Sequence, residues 1–398
     1  MDPDSRNFLC PLLAILEVLL ALLLIPSALA QSPAKRKASR SYLPIASFYE
    51  VPNPLPPGNP GDLIRSQPFS NYDLPPGVSA TRILYHSRSA NGEDVAVSGV
   101  VLSPATGKAP TGGWPMIAWA HGFSGVARRC APSLARNLGH GPFLSMYVKL
   151  GYAVVATDYA GFGATTGSAR LDINSKAADV LYSVAAARSA LPQLSTKWIA
   201  LGEADGALTV AALAELQGGT HDPNYLGGIA VSGIADLKDI YERAATRSPD
   251  KVALLAAEIR ALYPQFRPDS ILSDAGLALY HQLESTCSLS ATPTLTTSNV
   301  LKPAWNNDVH VKQFFDRNTL GQKLGYGPLL VIQGEADTRV LPSMTAQTVA
   351  RMCKQGERIE FDKYPNLDGG QVLGESIRDQ IAWIQARFAG IKAPANCP

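Results

Sequence analysis

Short, nearly continuous apolar runs alternate with longer amphipathic stretches over much of the chain after residue 80. The apolar runs predict strands that are buried on both faces; they are PMIAWAHG, YAVVATDYAGFG, KWIALG, LGGIAVSG and GPLLVIQGEAD. The amphipathic stretches predict helices; examples are FLSMYVKLG, SKAADVLYSVAAARSAL and ESIRDQIAWIQARFAG. This alternation predicts an α/β fold with a mostly parallel, doubly wound sheet, and it places ligand chemistry at the carboxyl ends of the strands.

Three regions depart from this rhythm. Residues 31–79 form a basic linker followed by a segment crowded with proline and glycine, which predicts an extended segment on the surface. The next run, ATRILYHSRSANGEDVAVSGVVLSP, predicts a β-hairpin around Asn91-Gly92. Residues 235–326 contain helical patterns without a clear strand and predict an inserted helical cap. The predicted α/β core therefore has two parts, residues 80–234 and residues 327–398.

The first thirty residues carry a long apolar run, LLAILEVLLALLLIPSALA, that ends in the small-residue sequence Ala28-Leu29-Ala30. This pattern predicts a signal peptide over residues 1–30 and a secreted protein, or a periplasmic one if the source is bacterial. The run approaches the length of a membrane span, so an uncleaved anchor is the second interpretation. After cleavage we expect no stable membrane span.

Composition narrows the partners and the cofactors. Of 398 residues 46% are hydrophobic and 17% are charged, and the net charge is +2. These values indicate a globular chain without the basic stripe that nucleic-acid binding requires. Four cysteines follow the leader, and an even number in an exported protein predicts two disulfides; they are Cys130, Cys287, Cys353 and Cys397. Their spacing does not match a zinc site, and we predict no metal or other cofactor.

The stretch KWIALGEADGALTVAALAEL predicts a strand, a tight turn and a helix, with Ala204 at the centre of the turn. This layout is how α/β-hydrolases present their nucleophile, because the turn is too tight for bulky residues two positions away. Gly202 and Gly206 provide the small residues that the turn needs.

Two further segments occur in the order that a hydrolase requires. WAHGFSG is a strand followed by a loop whose backbone N–H groups can face a developing oxyanion, and the candidates are Phe123 and Ser124, together with Asp205 of the turn. In GEADTRV, Asp337 follows a late strand, where the acid of a Ser-Asp-His triad is expected. Together these features predict the α/β-hydrolase fold.

Several segments resemble the secretory lipase family, the group that includes the lipase A type of yeast; they are FYEVPNPL, GDLIRSQPF, ILYHS, VAVSGVVLSP, WAHGFSGVARRCAPSL, GYAVVATDYAGFG, GEADTRV and MCKQG. The likeness covers nearly all of the mature chain. It implies a secreted hydrolase with a helical cap over an acyl-binding channel, which cleaves triacylglycerols and simpler esters through a serine triad without metal or organic cofactor. It also implies that Cys130 pairs with Cys287, and Cys353 with Cys397.

The chain departs from this family at two of the three triad positions. Ala204 stands where the family has its nucleophilic serine, and a methyl group cannot attack a carbonyl. All six histidines precede Asp337, and the position that matches the catalytic histidine is Gly369. Only the acid, Asp337, remains. We therefore predict a pseudoenzyme that keeps an acyl or ester pocket.

Two alternatives remain open on the sequence alone. One is an active triacylglycerol lipase or carboxylesterase with a relocated catalytic set, for which Ser124 and Ser168 are candidate nucleophiles and His310 a candidate base. Asp205 is a weaker candidate nucleophile, because it lies one residue beyond the centre of the turn. The other alternative is an adhesion or interaction protein that only uses the fold.

Overall fold

In the computed structural model, the core of the protein is a nine-stranded sheet with helices on both faces. The structure describes residues 42–164, 172–248, 250–283, 286–287 and 296–397. The predicted signal peptide (residues 1–30), the basic linker up to residue 41 and the candidate Ser168 lie outside these residues.

The sheet is mixed at one side and parallel over the rest. Its strands are β1 (Leu63–Pro68), β2 (Val78–Arg88), β3 (Asp94–Pro104), β4 (Trp114–Ala120), β5 (Ala153–Thr157), β6 (Leu194–Glu203), β7 (Tyr225–Val231), β8 (Leu329–Gly334) and β9 (Ile359–Tyr364). Their spatial order is β1-β2-β3-β5-β4-β6-β7-β8-β9. The pairs β1/β2, β2/β3 and β3/β5 are antiparallel, and all later pairs are parallel. The predicted mostly parallel sheet is confirmed.

The helices alternate with the strands except in one long interval. They are α1 (Gly141–Lys149), α2 (Ile173–Ala190), α3 (Asp205–Thr220), α4 (Leu237–Arg247), α5 (Asp250–Leu262), α6 (Asp274–Leu283), α7 (Thr297–Val300), α8 (Val309–Arg317), α9 (Pro342–Lys354), α10 (Gln371–Glu375) and α11 (Ile377–Phe388). Helices α4 to α8 lie between β7 and β8, and we call them the cap helices. Within the described part of this interval, the one β interaction is an isolated bridge between Leu272 and Leu301.

The alternation of the chain explains how the sheet is covered. On one face the alanine-rich α3 packs closely, with Ala207 and Ala211 fully buried. On the other face larger side chains fill the space, with Trp119 of β4 and Trp383 of α11 in one apolar cluster. The inner parallel strands β5 and β8 are buried along their whole length and therefore lack a polar face, as their sequences indicate.

The N-terminal part of the described chain differs from the prediction. The hairpin is present, since β2 and β3 pair up to Arg88 and Asp94, and Gly92 adopts a φ of 83° in the turn. However, the proline-rich segment before it is not only a surface segment. It contains the edge strand β1, which pairs with β2, and it buries Tyr49 completely. Prolines flank this strand and Pro68 is its last residue. Because proline is uncommon within strands, the sequence pattern did not predict β1.

Candidate functional site

The strand-to-helix turn has the backbone of a nucleophile elbow. Strand β6 ends at Glu203 and α3 begins at Asp205, and Ala204 between them has φ 51° and ψ −117°. A Cβ atom at residue 206 would lie 1.9 Å from the carbonyl oxygen of Ala120, so only glycine fits there. A Cβ atom at residue 202 would lie 2.2 Å from the carbonyl oxygen of Gly206. Both small residues are therefore required by contact, as the sequence pattern implied.

The conformation of Ala204 is strained, because a residue with a Cβ atom rarely adopts a positive φ. We expect Ala204→Gly to raise the free energy of unfolding by about 1 kcal/mol, the relief of strain exceeding the entropy that glycine adds to the unfolded chain. Urea unfolding would measure it. Ala212→Gly in the interior of α3 is the matched control and should lose about 1 kcal/mol or more. A loss in both variants would show that the elbow stores no strain.

The predicted acid and the predicted histidine position lie against each other. Asp337 is buried after β8, and its Oδ1 accepts N–H bonds from Arg339 at 2.8 Å and Val340 at 3.1 Å. A Cβ atom at residue 369 would lie 2.2 Å from Oδ2 of Asp337. The carboxylate therefore occupies the space in which a side chain at position 369 would begin.

The same loop is tied to the elbow through β7. The hydroxyl of Ser232, the residue after β7, donates a hydrogen bond to the carbonyl oxygen of Gly369. The residue before it, Val231, accepts a 3.0 Å hydrogen bond from the N–H of Ala204. The carboxyl ends of β6, β7, β8 and β9 thus lie at one end of the sheet. Ala204, Asp337 and Gly369 follow these strand ends.

The three candidate oxyanion residues line one small pocket beside the elbow. Its walls are formed by His121, Gly122, Phe123, Ser124, Gly125, Tyr159, Phe162, Lys176, Asp205 and Glu258. Its free volume is about 10 Å³, which is about the space that one water molecule needs. A Cβ atom at residue 122 would lie 3.4 Å from the Cβ of Ala204, so this wall touches the elbow.

Lysine, aspartate and glutamate side chains are among the ionisable groups that make this pocket polar. Lys176 of α2 is buried, with Nζ 3.9 Å from Oδ2 of Asp205 and 5.2 Å from the centre of the Tyr159 ring. Glu258 of the cap helix α5 is only 1% exposed. No motif in the sequence singles out Lys176, Tyr159 or Glu258. The available signal was a lysine among the alanines of an otherwise buried helix.

Two histidines lie near this end of the sheet, His121 and His140, and each contacts a neighbouring group. The ring of His121 is fully buried, with Nδ1 2.6 Å from the carbonyl oxygen of Gly122 and Nε2 3.3 Å from that of Asp158. Desolvation by burial lowers its pKa to about 3. Nε2 of His140 lies 3.4 Å from Oε1 of Glu203, the residue before Ala204.

The candidate base His310 lies on the cap helix α8. Its Nδ1 is 3.6 Å from Asp308, and its ring packs against Tyr263 and Phe266. It does not line the pocket. The candidate nucleophile Ser124 does line it, but its buried Oγ has no hydrogen-bond partner among the described residues. Ser124 shares this pocket with His121, but no hydrogen bond joins its Oγ to a described histidine.

Burial of neutral His121 makes stability depend on pH. Its folded-state pKa of about 3 lies below the ordinary value of 6.5, so the unfolded chain binds one more proton between these pH values. Its contribution is complete above pH 6.5 and is lost as the pH falls towards 3. Between pH 7 and 5 we expect a loss of about 2 kcal/mol from this residue. Urea unfolding of His121→Gln should show a smaller difference between the two pH values, and an equal difference would contradict the assignment.

The cysteines form the pairs that the resemblance implies. Cys130 is bonded to Cys287, and Cys353 to Cys397. The first bond lies against the oxyanion loop, since a Cβ atom at residue 125 would lie 2.7 Å from Sγ of Cys130. In the described residues no cluster of three or more His, Cys, Asp or Glu side chains could hold a metal ion. None of the helices described is long and apolar enough to cross a membrane.

The sheet order, the elbow between β6 and α3, and the loops after β4, β8 and β9 define the fold class as an α/β-hydrolase. The family model of the secretory lipases matches residues 141–396. The chain belongs to the secretory lipase family.

Solved structures show the same fold at low sequence identity. Candida antarctica lipase A in its closed state superimposes with a TM-score of 0.76 and 18% identity, over 90% of this chain and 89% of the other. The rice cell wall degrading esterase LipA from Xanthomonas oryzae gives a TM-score of 0.68 and 17% identity, over 83% of this chain and 98% of the other. A putative hydrolase from Legionella pneumophila gives 0.67 and 16%, over 82% and 98%. No curated protein sequence matches the chain.

Proposed function

We propose that this chain is a secretory lipase homologue that binds an acyl or ester ligand without hydrolysing it. The observation that carries the proposal is the elbow itself. Its backbone retains the strained turn that presents a nucleophile, and the side chain at its centre is the methyl group of Ala204. At the matching position for the base, Gly369 has no imidazole to accept a proton, and the Asp337 carboxylate occupies the place where a Cβ atom at this residue would lie.

The two losses together set how little turnover we expect. In a comparable hydrolase, removal of the serine or the histidine alone costs about 10⁶ in turnover, and removal of both costs little more. Oxyanion donors and substrate positioning alone retain about 10³ to 10⁴ over the reaction in water. In this proposal the backbone N–H groups of the oxyanion loop act as such donors, so we expect binding with only this residual rate.

The elements around the pocket support a binding role. Residues 235–326 supply the cap, and Glu258 of α5 forms one wall of the pocket beneath it. The disulfide Cys130–Cys287 joins the oxyanion loop to the segment after α6. Membership of a secretory family and two disulfides support export, since such bonds persist in oxidising compartments.

The proposal is tested by assaying the purified chain with p-nitrophenyl butyrate, together with a family member that keeps the serine and the histidine. We expect the unchanged chain to be about 10⁶-fold slower than the active relative. The residual rate should not respond to a serine-directed phosphonate. Turnover that the phosphonate abolishes would contradict the proposal and would favour a relocated nucleophile.

A further inference from the structure

The segment that leads from the cap back to the sheet is in contact with two glutamates. We call residues 318–328, between α8 and β8, the return segment. The N–H of Gly321 donates a 2.5 Å hydrogen bond to Oε1 of Glu215 on α3. A Cβ atom at residue 325 would lie 2.3 Å from Oε1 of Glu357, so this second carboxyl packs directly on the backbone of Gly325. The two glutamates therefore hold the return segment at two points four residues apart.

The carboxyl group of Glu357 is buried without a partner that would offset its charge. The residue is 6% exposed, and neither carboxyl oxygen makes a hydrogen bond of standard geometry with a described residue. A charged carboxylate is costly in such surroundings, whereas the neutral acid costs much less. Burial and then the charge of Glu215 raise the pKa of Glu357 to about 8, and the backbone of Gly325 offsets only part of this rise. Glu357 is therefore mainly protonated at neutral pH.

The other titratable groups around Glu357 do not change this assignment. Tyr225, the first residue of β7, has a buried hydroxyl, and burial followed by the charge of Glu357 raises its pKa, so the hydroxyl stays neutral. Burial raises the pKa of Glu215, whereas N–H groups of the return segment and the charges of Lys323 and Arg351 favour its charged form. Because the charge of Glu215 acts on Glu357, Glu215 is the member of the pair that ionises first.

We propose that Glu215 and Glu357 form a proton-dependent latch on the return segment: the segment stays closed while Glu357 carries a proton, and it opens when both carboxyl groups are charged. The return segment is one of the two chain connections between the cap and the core, so the latch sets how firmly one end of the cap is attached. The inference does not depend on the proposed function. The latch lies near the amino ends of β7 and β9, whereas Ala204 follows the carboxyl end of β6.

The direction of the pH dependence follows from the two states of Glu357. In the open segment its carboxyl group is solvated and returns to the ordinary pKa of 4.5, so the closed segment binds one more proton between pH 4.5 and 8. The contribution of Glu357 to closure is complete below pH 4.5 and is lost as the pH rises through 8. The open fraction should therefore rise about tenfold per pH unit within this range and level off above it.

Trypsin measures the open fraction, because Lys323 is an exposed cleavage site within the return segment. The initial rate of cleavage after Lys323 in the unchanged full chain is measured by mass spectrometry from pH 6 to pH 9. Each rate is divided by that of a synthetic peptide of residues 318–328, so that the pH dependence of trypsin itself cancels. We expect the corrected rate to rise about fiftyfold between pH 6 and pH 8.

A second cleavage site separates local opening from global unfolding. Lys197 lies within β6, beside the fully buried Trp198, and is cut only when the sheet opens. Because the return segment opens without the sheet, cleavage after Lys323 should be at least about tenfold faster than cleavage after Lys197 at every pH.

Three variants assign the pH dependence to Glu357. Glu357→Gln removes the titrating group with little change in size, and the corrected rate should change less than about threefold between pH 6 and pH 8. Glu357→Met also has a similar volume and no titrating oxygen, so it should behave in the same way if the glutamine variant does not fold. His221→Gln is the control, since the ring of His221 contacts Tyr326 of the return segment and histidines commonly titrate in this range. It should keep the fiftyfold rise.

Four results would overturn the latch. They are a corrected rate that does not rise with pH in the unchanged chain, equal rates after Lys323 and Lys197, a rise that persists in the folded Glu357 variants, and a rise that disappears in His221→Gln. None of them bears on whether the chain hydrolyses esters, so the proposed function would stand or fall separately.

Discussion

The double variant Ala204→Ser with Gly369→His is expected to hydrolyse p-nitrophenyl butyrate at least about 10³ times faster than the unchanged chain. The serine and histidine of such a triad act as a unit worth about 10⁶, and an imperfect reconstruction recovers part of it. The elbow needs no rebuilding, because Gly202 and Gly206 already hold its close contacts. Each single variant should remain near the background rate, since a serine without a base and a histidine without a nucleophile are both inactive.

One local adjustment is required in this variant. The first side-chain atom at position 369 would lie 2.2 Å from Oδ2 of Asp337, so the carboxylate must turn to receive the imidazole. Its Oδ1 already holds the N–H groups of Arg339 and Val340, which keeps the acid in place. Adding Asp337→Asn to the double variant should therefore remove most of the recovered rate, since the acid of an intact triad is worth about 10⁴. Equal rates in the single and double variants would show that the three positions do not form one site.

Removal of the Cys130–Cys287 bond is expected to cause the largest loss of stability. The bond joins residues 157 positions apart, and the loop-closure entropy of such a crosslink is about 5 kcal/mol. Replacement of both cysteines by alanine should lower the free energy of urea unfolding by up to this amount. It should also release the oxyanion loop from the segment after α6, because Gly125 packs against the bond.

The second disulfide provides the comparison. Cys353 and Cys397 are 44 positions apart, which corresponds to about 4 kcal/mol. Its removal should leave ester binding unchanged, since neither cysteine lines the pocket. Limited proteolysis should cut the cap helices faster only when the Cys130–Cys287 bond is absent. Equal proteolysis of the cap in both variants would show that this bond does not hold the cap segment.

The fold could be predicted because the inner strands of the parallel part, such as β5 and β8, are short apolar runs with no polar face. The elbow could also be predicted, because close atomic contacts require glycine at residues 202 and 206. Strand β1 could not be predicted, because prolines flank it and only its pairing with β2 identifies it. A sequence pattern thus predicts an element when the residues of that element produce the pattern. It fails when the element is defined by pairing with another strand.

Only part of the candidate site could be predicted from the sequence. Ala204, Asp337 and Gly369 follow from the order of strands and loops, and the structure places them at one edge of the sheet. The polar pocket was not predictable, because Lys176 comes from α2 and Glu258 from the cap helix α5. Their approach to Ser124 depends on how the cap segment packs on the core, which no spacing in the sequence expresses.

The most direct test of the central claim is the intact mass of the protein after incubation with a fluorophosphonate, which reacts with activated serines. The unchanged chain is expected to keep its mass, and the variant with Ala204→Ser and Gly369→His to gain one adduct on residue 204. A stoichiometric adduct on the unchanged chain, mapped to Ser124 or any other serine, would contradict the account.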